Sequence, residues 1–356
     1  MNLPIDLTQV QNVLILRTDH LGDLLLSTPL IRTMRTALPG CRFTLVTSPA
    51  NTAALNGWDA LDDFLFFDPS WSLTRKWRFI LELRQTRWDL CLTLSPRTNS
   101  YVLGWLSGAT LRAGIVYSRR ILARIFSPLF LTRTVVMDID GKLSAGQPVP
   151  HEVVQLAELA VALGLPKTEP GPLEFPLTAG EVDWANRWLT DNWATPPASC
   201  LIGIHGAGKW LSHGWNAQDF LSLVRAIAEI HPNTKVLLTF GPGDTVLQHA
   251  VTDALERESN PAVLNPGQLP ISRWAALLSL CDAVVSPDTG SLHLAVALAR
   301  PVVAMYESDN FAHCSAQWAP WQVPSASIRR GTPTATIPLL AAEVLRLIDR
   351  KVDYKQ

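Results

Sequence analysis

Short apolar runs alternate with longer segments of helical period along this chain, and they do so twice over, which limits the fold to the α/β class. In the first half, strands are predicted at Asn12–Arg17, Arg42–Thr47, Asp63–Phe67, Asp89–Leu94 and Leu131–Val136. The first helix is read from Gly22 to Leu38, where Pro39-Gly40 stops it. A helix over His151–Leu163 leads into the Pro-rich stretch Pro166–Pro176, the predicted linker. In the second half, strands are expected at Cys200–His205, Lys235–Phe240, Ala283–Val285 and Val302–Tyr306. Helices are expected at Asn216–Ile230, Thr245–Glu256, Ser272–Leu280 and Thr289–Ala299. The predicted domains are 1–170 and 171–335, with a last helix in 336–356 packing back on the first domain. Strands that alternate with helices form parallel sheets, and such sheets bind ligands beyond the carboxyl ends of their strands.

Composition narrows the class further. At 356 residues, 47% hydrophobic and 17% charged, the chain can build two sizeable cores and is not of the disordered type. The best spanning candidate, Leu292–Tyr306, is broken by Arg300 and Pro301. The first residues lack the pattern of a secretory signal, so a cytoplasmic location is expected. Five cysteines are scattered without C-x-x-C or zinc spacing, so no metal is expected.

The net charge of −1 conceals an asymmetry. Residues 75–133 hold eleven basic side chains against two acidic ones, a net +9, and the rest of the chain carries −10. Trp71, Trp77, Trp88, Trp105, Phe126 and Phe130 lie in or near this basic segment. Such a segment fits an anionic partner or a membrane–water interface, and it equally fits solvated helix faces above core tryptophans. A nucleic-acid partner is not expected.

Four polar loops stand where predicted strands end. In Arg17-Thr18-Asp19-His20-Leu21-Gly22-Asp23, the last residue opens a helix, whose dipole stabilises a carboxylate as the anion. That suits a general base, and the same pattern serves a helix start alone. In His205-Gly206-Ala207-Gly208-Lys209-Trp210, small residues permit backbone approach to a phosphate, and Lys209 or His213 supplies positive charge. The spacing is not that of a P-loop, and no G-x-G-x-x-G follows Asn12–Arg17, which argues against a dinucleotide oxidoreductase. Phe240-Gly241-Pro242-Gly243-Asp244 puts a carboxylate at another helix start, within reach of a ribose or simply in a turn. The fourth run is Ser286-Pro287-Asp288-Thr289-Gly290-Ser291-Leu292-His293. Here Thr289 or Asp288 is expected to cap a helix whose start suits a phosphate, with Gly290 admitting it and His293 facing the same mouth.

Taken together, these loops resemble glycosyltransferase family 9, the bacterial heptosyltransferases of lipopolysaccharide core synthesis. The resemblance is strongest in Val13–Asp23 through Thr28-Pro29-Leu30-Ile31-Arg32, and in Asp288–His293 through Arg300-Pro301-Val302-Val303-Ala304. Trp88-Asp89-Leu90, Leu94-Ser95-Pro96-Arg97 and Leu106-Ser107-Gly108-Ala109 look like the family's middle. It implies a GT-B architecture, two Rossmann-like domains whose parallel sheets face across a cleft. It also implies inverting, metal-independent transfer without a cofactor, from ADP-heptose to an anionic glycolipid acceptor at the cytoplasmic face of the inner membrane. By that resemblance Asp23 is the catalytic base, and Ala207, Gly208, Lys209, His213, Asp244, Asp288, Thr289, Gly290 and His293 bind the donor. Asp19, His20, Gly22, Arg97, Arg119 and Arg120 fall on the acceptor side.

Two positions depart from the family pattern. His213 stands where a lysine is usual, and Tyr306-Glu307-Ser308-Asp309 replaces the usual Phe-Gly-Pro-Thr. Leaving-group stabilisation and donor identity are therefore not carried over. A relative using another nucleotide sugar or acceptor, a nucleotide-sugar epimerase of like architecture, and a silent sugar-nucleotide or lipid-binding module are the alternatives.

Overall fold

Val13-Leu14-Ile15-Leu16 is apolar without interruption, as a strand covered on both faces must be, and it forms the middle of β1 (Asn12–Arg17). The computed structural model describes residues 6–193, 200–231, 233–241, 243–258 and 262–353. The chain divides into two compact units, Met1–Pro176 and Leu177–Gln356.

In the first unit β1 is followed by α1 (Leu21–Leu26), α2 (Thr28–Ala37), β2 (Arg42–Thr47) and β3 (Asp63–Phe66). Next come α3 (Leu73–Leu83), β4 (Leu90–Thr93), α4 (Thr98–Leu106) and β5 (Leu111–Tyr117). The unit closes with α5 (Ile121–Phe130), β6 (Arg133–Met137), α6 (Ile139–Ser144) and α7 (Glu152–Ala162). Its sheet is parallel, in the order β3-β2-β1-β4-β5-β6. Helices α3 and α4 pack on the face that carries Leu14, Leu16 and Cys91, and α2 packs against α7.

The second unit opens with α8 (Ala179–Asn192), begun by a capping box between Thr178 and Glu181. Then follow β7 (Cys200–Gly206), α9 (Ala217–Ala228), β8 (Thr234–Phe240), α10 (Thr245–Glu258) and β9 (Val263–Leu264). After these come α11 (Ile271–Ser279), β10 (Ala283–Pro287), α12 (Gly290–Ala297) and β11 (Val302–Tyr306). Last are α13 (Phe311–Gln317), β12 (Ser325–Arg329) and α14 (Pro333–Asp353). Its parallel sheet runs β12-β11-β10-β7-β8-β9. This is the same topology as the first: each unit's first strand lies between its second and its fourth. The loops after those first and fourth strands therefore stand side by side where the strand order reverses, the place at which open α/β sheets bind ligands.

Several elements differ from the sequence expectation. The helix read over Gly22–Leu38 is two helices meeting at Ser27. Pro29 has no amide to continue the ladder, and the hydroxyl of Thr28 donates to the Leu25 carbonyl instead, at 2.7 Å. Three strands, β5, β9 and β12, were not foreseen. In β5 the apolar run is interrupted by Arg112 and Gly114, yet the guanidinium of Arg112 folds onto the carbonyls of Ala109 and Phe130, both at 2.5 Å. Within the second unit, Leu340, Val344 and Leu347 of α14 are buried in the core. Among the described residues no helix is long and apolar enough to cross a membrane.

Candidate active site

In the first unit the loops after β1 and β4 converge on a side chain absent from the sequence-derived site, Arg17, which ends β1 and is 1% exposed. Its Nε donates to the main-chain oxygen of Asp23 at 2.9 Å, and its Nη1 donates to that of Leu94. Asp19 Oδ1 lies 3.3 Å from Nε, while Asp23 Oδ1 and Glu152 Oε1 lie 3.5 and 3.7 Å from Nη2. Burial works against the charge of Arg17, but the carboxylates of Asp19, Asp23 and Glu152 outweigh it and hold its pKa above the ordinary arginine value. A single cation thus binds two loops and three carboxylates together.

Asp23 occupies the first turn of α1, as the sequence indicates, and its main-chain oxygen also accepts from Ser27 Oγ at 2.8 Å. With the backbone held twice, its side chain remains 29% exposed. Asp19 turns its carboxylate, 6% exposed, inward to Arg17, and Gly22 is buried within α1. His20, Arg97, Arg119 and Arg120 are exposed. Arg120 Nη1 donates to the Pro96 carbonyl at 2.5 Å, which ties the turn after β5 to the loop bearing Arg97, and Arg119 Nη1 stands 3.3 Å from Asp140 Oδ1.

The second unit joins the loops after β7, β8 and β10. The amide of Gly208 donates to Asp244 Oδ1 at 2.5 Å. Lys209 Nζ donates to the main-chain oxygen of Asp288 and lies 3.3 Å from its Oδ2. Ala207 is buried, and Pro242 of the third loop lies outside the described residues. Two glycines of the β7 loop prove to be filled by protein. A Cβ on Gly206 would stand 2.4 Å from the Phe240 ring, and one on Gly208 would stand 3.2 Å from Asp244 Oδ1.

The start of α12 also corrects an expectation. Thr289 holds the N-cap position, but its side chain makes no capping hydrogen bond and its Oγ1 donates to the Pro287 carbonyl at 3.3 Å, while Asp288 faces Lys209. The hydroxyls of Ser286 and Ser291 are 2.6 Å apart, and those of Thr289 and Ser291 2.7 Å. The side chain of Thr289 thus leaves the first-turn amides of α12 to other partners, and a helix start of this kind suits an external anion. His293, one turn further, is buried.

Two further residues shape this loop, and neither was among the expected site residues. Glu307 Oε2 lies 3.2 Å from His213 Nε2 and 2.9 Å from Arg330 Nε, while its Oε1 accepts from Ser212 Oγ at 2.9 Å. Arg330, 2% exposed, also donates to the carbonyls of Lys209 at 2.5 Å and of Trp210 and Ser212 at 3.2 Å. Burial pushes its pKa below the ordinary arginine value, and Glu307 acts in the opposite direction. Its sequence surroundings carry no signal for this role, whereas Glu307 lies in a run that departs from the family pattern. His213 itself is left-handed, with φ of 53°.

Two Rossmann-like domains, each with polar loops gathered at its reversal point, are the domains of GT-B glycosyltransferases. The sequence profile of glycosyltransferase family 9 (heptosyltransferase) matches residues 76–335. Lipopolysaccharide heptosyltransferase 2 of Salmonella typhimurium is 23% identical over 323 residues, covering 83% of this chain and 82% of that protein. The solved family 9 glycosyltransferase from Veillonella parvula superposes with a TM-score of 0.77 at 18% identity, over 98% of this chain and 99% of that one. For the E. coli ADP-heptose lipopolysaccharide heptosyltransferase II the TM-score is 0.76 at 19% identity, over 96% and 99%. The chain belongs to glycosyltransferase family 9.

Proposed function

We propose that this glycosyltransferase inverts configuration, needs no metal, and transfers heptose from ADP-heptose to a lipopolysaccharide core acceptor at the cytoplasmic face of the inner membrane. The first unit takes the acceptor and the second the nucleotide sugar. An acceptor hydroxyl attacks the anomeric carbon while its proton passes to Asp23, and the bond from that carbon to the phosphate oxygen breaks. The electron pair leaves with the nucleoside diphosphate toward the start of α12, near the ammonium of Lys209. Asp244, Thr289, Gly290 and His293 complete the donor side, and Arg97, Arg119 and Arg120 meet anionic groups of the acceptor. The observation that carries the reading is Asp23 itself, a first-turn carboxylate whose backbone Arg17 holds and whose side chain stays partly exposed.

The test is incubation with ADP-heptose and a core glycolipid lacking its next heptose, with and without a chelator. ADP release, a product heavier by one heptose and inverted anomeric configuration by NMR are expected, unchanged by chelation. Failure on ADP-heptose together with turnover of another nucleotide sugar selects the second reading, which Glu307 favours. Standing where the family usually has a glycine, its carboxylate brings negative charge to the Ser212–His213 loop. No turnover of any donor leaves a silent binding module.

A further inference from the structure

Helix α5 reverses the usual arrangement of an amphipathic helix, which buries its large apolar side chains and exposes its polar ones. Ser127 is buried, and Ala123 packs on the cluster of Tyr101, Val116 and Leu131. Ile121, Leu122, Ile125, Phe126 and Leu129 are instead 50–72% exposed. At 3.6 residues per turn these five side chains form one continuous arc along the helix. Trp105 of α4, 49% exposed, extends it through a ring contact with Phe130 at 6.1 Å. Arg119 and Arg120 stand at the start of the helix and Arg124 on its side, all exposed.

We propose that α5 is an interfacial anchor that beds this arc in an anionic lipid bilayer while Arg124 on its flank meets headgroup phosphates, beside the acceptor-facing Arg119 and Arg120. A helix lying in the membrane plane has this composition, an apolar face roughly 5–10 Å deep in the boundary region and a basic flank. A second copy of the chain is a poorer occupant. Two-fold pairing would set the arginines against their own copies, and a stable interface takes about 20–30 residues a side, far more than these six. The +9 charge of residues 75–133 adds the long-range attraction that a bilayer surface needs. The inference deepens the membrane part of the reading above, but its test contains neither donor nor acceptor, so each can fail without the other.

The full chain is floated with vesicles of phosphatidylglycerol and phosphatidylethanolamine, and with vesicles of phosphatidylcholine alone. Wild type is expected on the anionic vesicles and not on the neutral ones. Ile125→Asp with Phe126→Asp should lower that binding by about tenfold or more, since two apolar side chains are lost from the arc. Both positions are exposed, so the melting curve of the double variant should match wild type. Equal binding of wild type to both vesicles overturns the proposal, as does wild-type binding by the double variant. Sedimentation of wild type as a dimer that the double variant abolishes also overturns it, because the arc would then join two copies.

Discussion

Arg17 donates to the main-chain oxygen of Asp23 at 2.9 Å while its Nη2 stays 3.5 Å from the carboxylate. The backbone of Asp23 is thereby fixed, and the carboxylate keeps lone pairs for another partner. This separates two jobs that one strong ion pair would have merged.

Asp23→Asn keeps the shape and loses the base. Turnover should fall by roughly 10²–10⁴-fold, the range for general-base contributions, with nucleotide affinity nearly unchanged. Steady-state kinetics and calorimetry with the nucleotide diphosphate check this, and near-normal turnover would leave Asp23 as a helix-start residue.

Arg17→Met leaves Asp19 and Glu152 buried beside an apolar side chain. Removing one partner of a buried ion pair costs about 3–5 kcal/mol, and the first unit should lose stability on that scale. Arg17→Lys should recover only part of it, because one ammonium cannot reproduce the fork that spans the carbonyls of Asp23 and Leu94. Denaturant unfolding monitored on the first unit reads both variants.

Lys209 and His213, two basic residues of the β7 loop, face different partners. Lys209 sits against Asp288 at the start of α12, whereas His213 is paired with Glu307. Lys209→Ala should therefore cost more turnover than His213→Ala, and His213→Lys should stay active. The opposite order of the two alanine effects would make His213 the phosphate ligand.

Gly206→Ala introduces a methyl group 2.4 Å from the Phe240 ring. Overpacking of this kind costs about 1–3 kcal/mol, and Phe240→Leu in the same chain should return part of it. The double-mutant cycle on unfolding of the second unit measures the coupling.

His205 is buried, its Nδ1 lies 3.1 Å from Thr239 Oγ1, and its ring packs against Trp274 with centroids 4.9 Å apart. Burial pushes its pKa down to about 4. The unfolded chain binds this proton near pH 6.5 and the folded chain does not, so stability is complete above about pH 6.5 and falls as pH drops toward 4. At pH 5 the loss from this group is about 2 kcal/mol. His205→Asn should unfold with a shallower pH dependence between pH 7 and pH 5 than wild type, a difference of about that size. Parallel curves would place the titration elsewhere.

The alternation of elements, the bounds of β1, β2 and β11, and the place of Asp23 in the first turn of a helix are all readable along the chain. Each depends on the period of apolar residues or on a cap within a few neighbours, and neighbours in sequence are neighbours in space over that range. The same local code loses β5, because the polar atoms of Arg112 are satisfied by Ala109 and by Phe130, eighteen residues away. Arg17 reads as the polar end of an apolar strand, and only the pairing of β1 with β4 brings it to the Leu94 carbonyl, with Glu152 further along the chain. Asp288 reads equally well as a helix cap, until Lys209, seventy-nine residues earlier, takes its carboxylate. Strand order and long-range pairing are decided by the packing of whole helices and sheets. A buried charge therefore finds its partners only once that packing has removed the alternative of water.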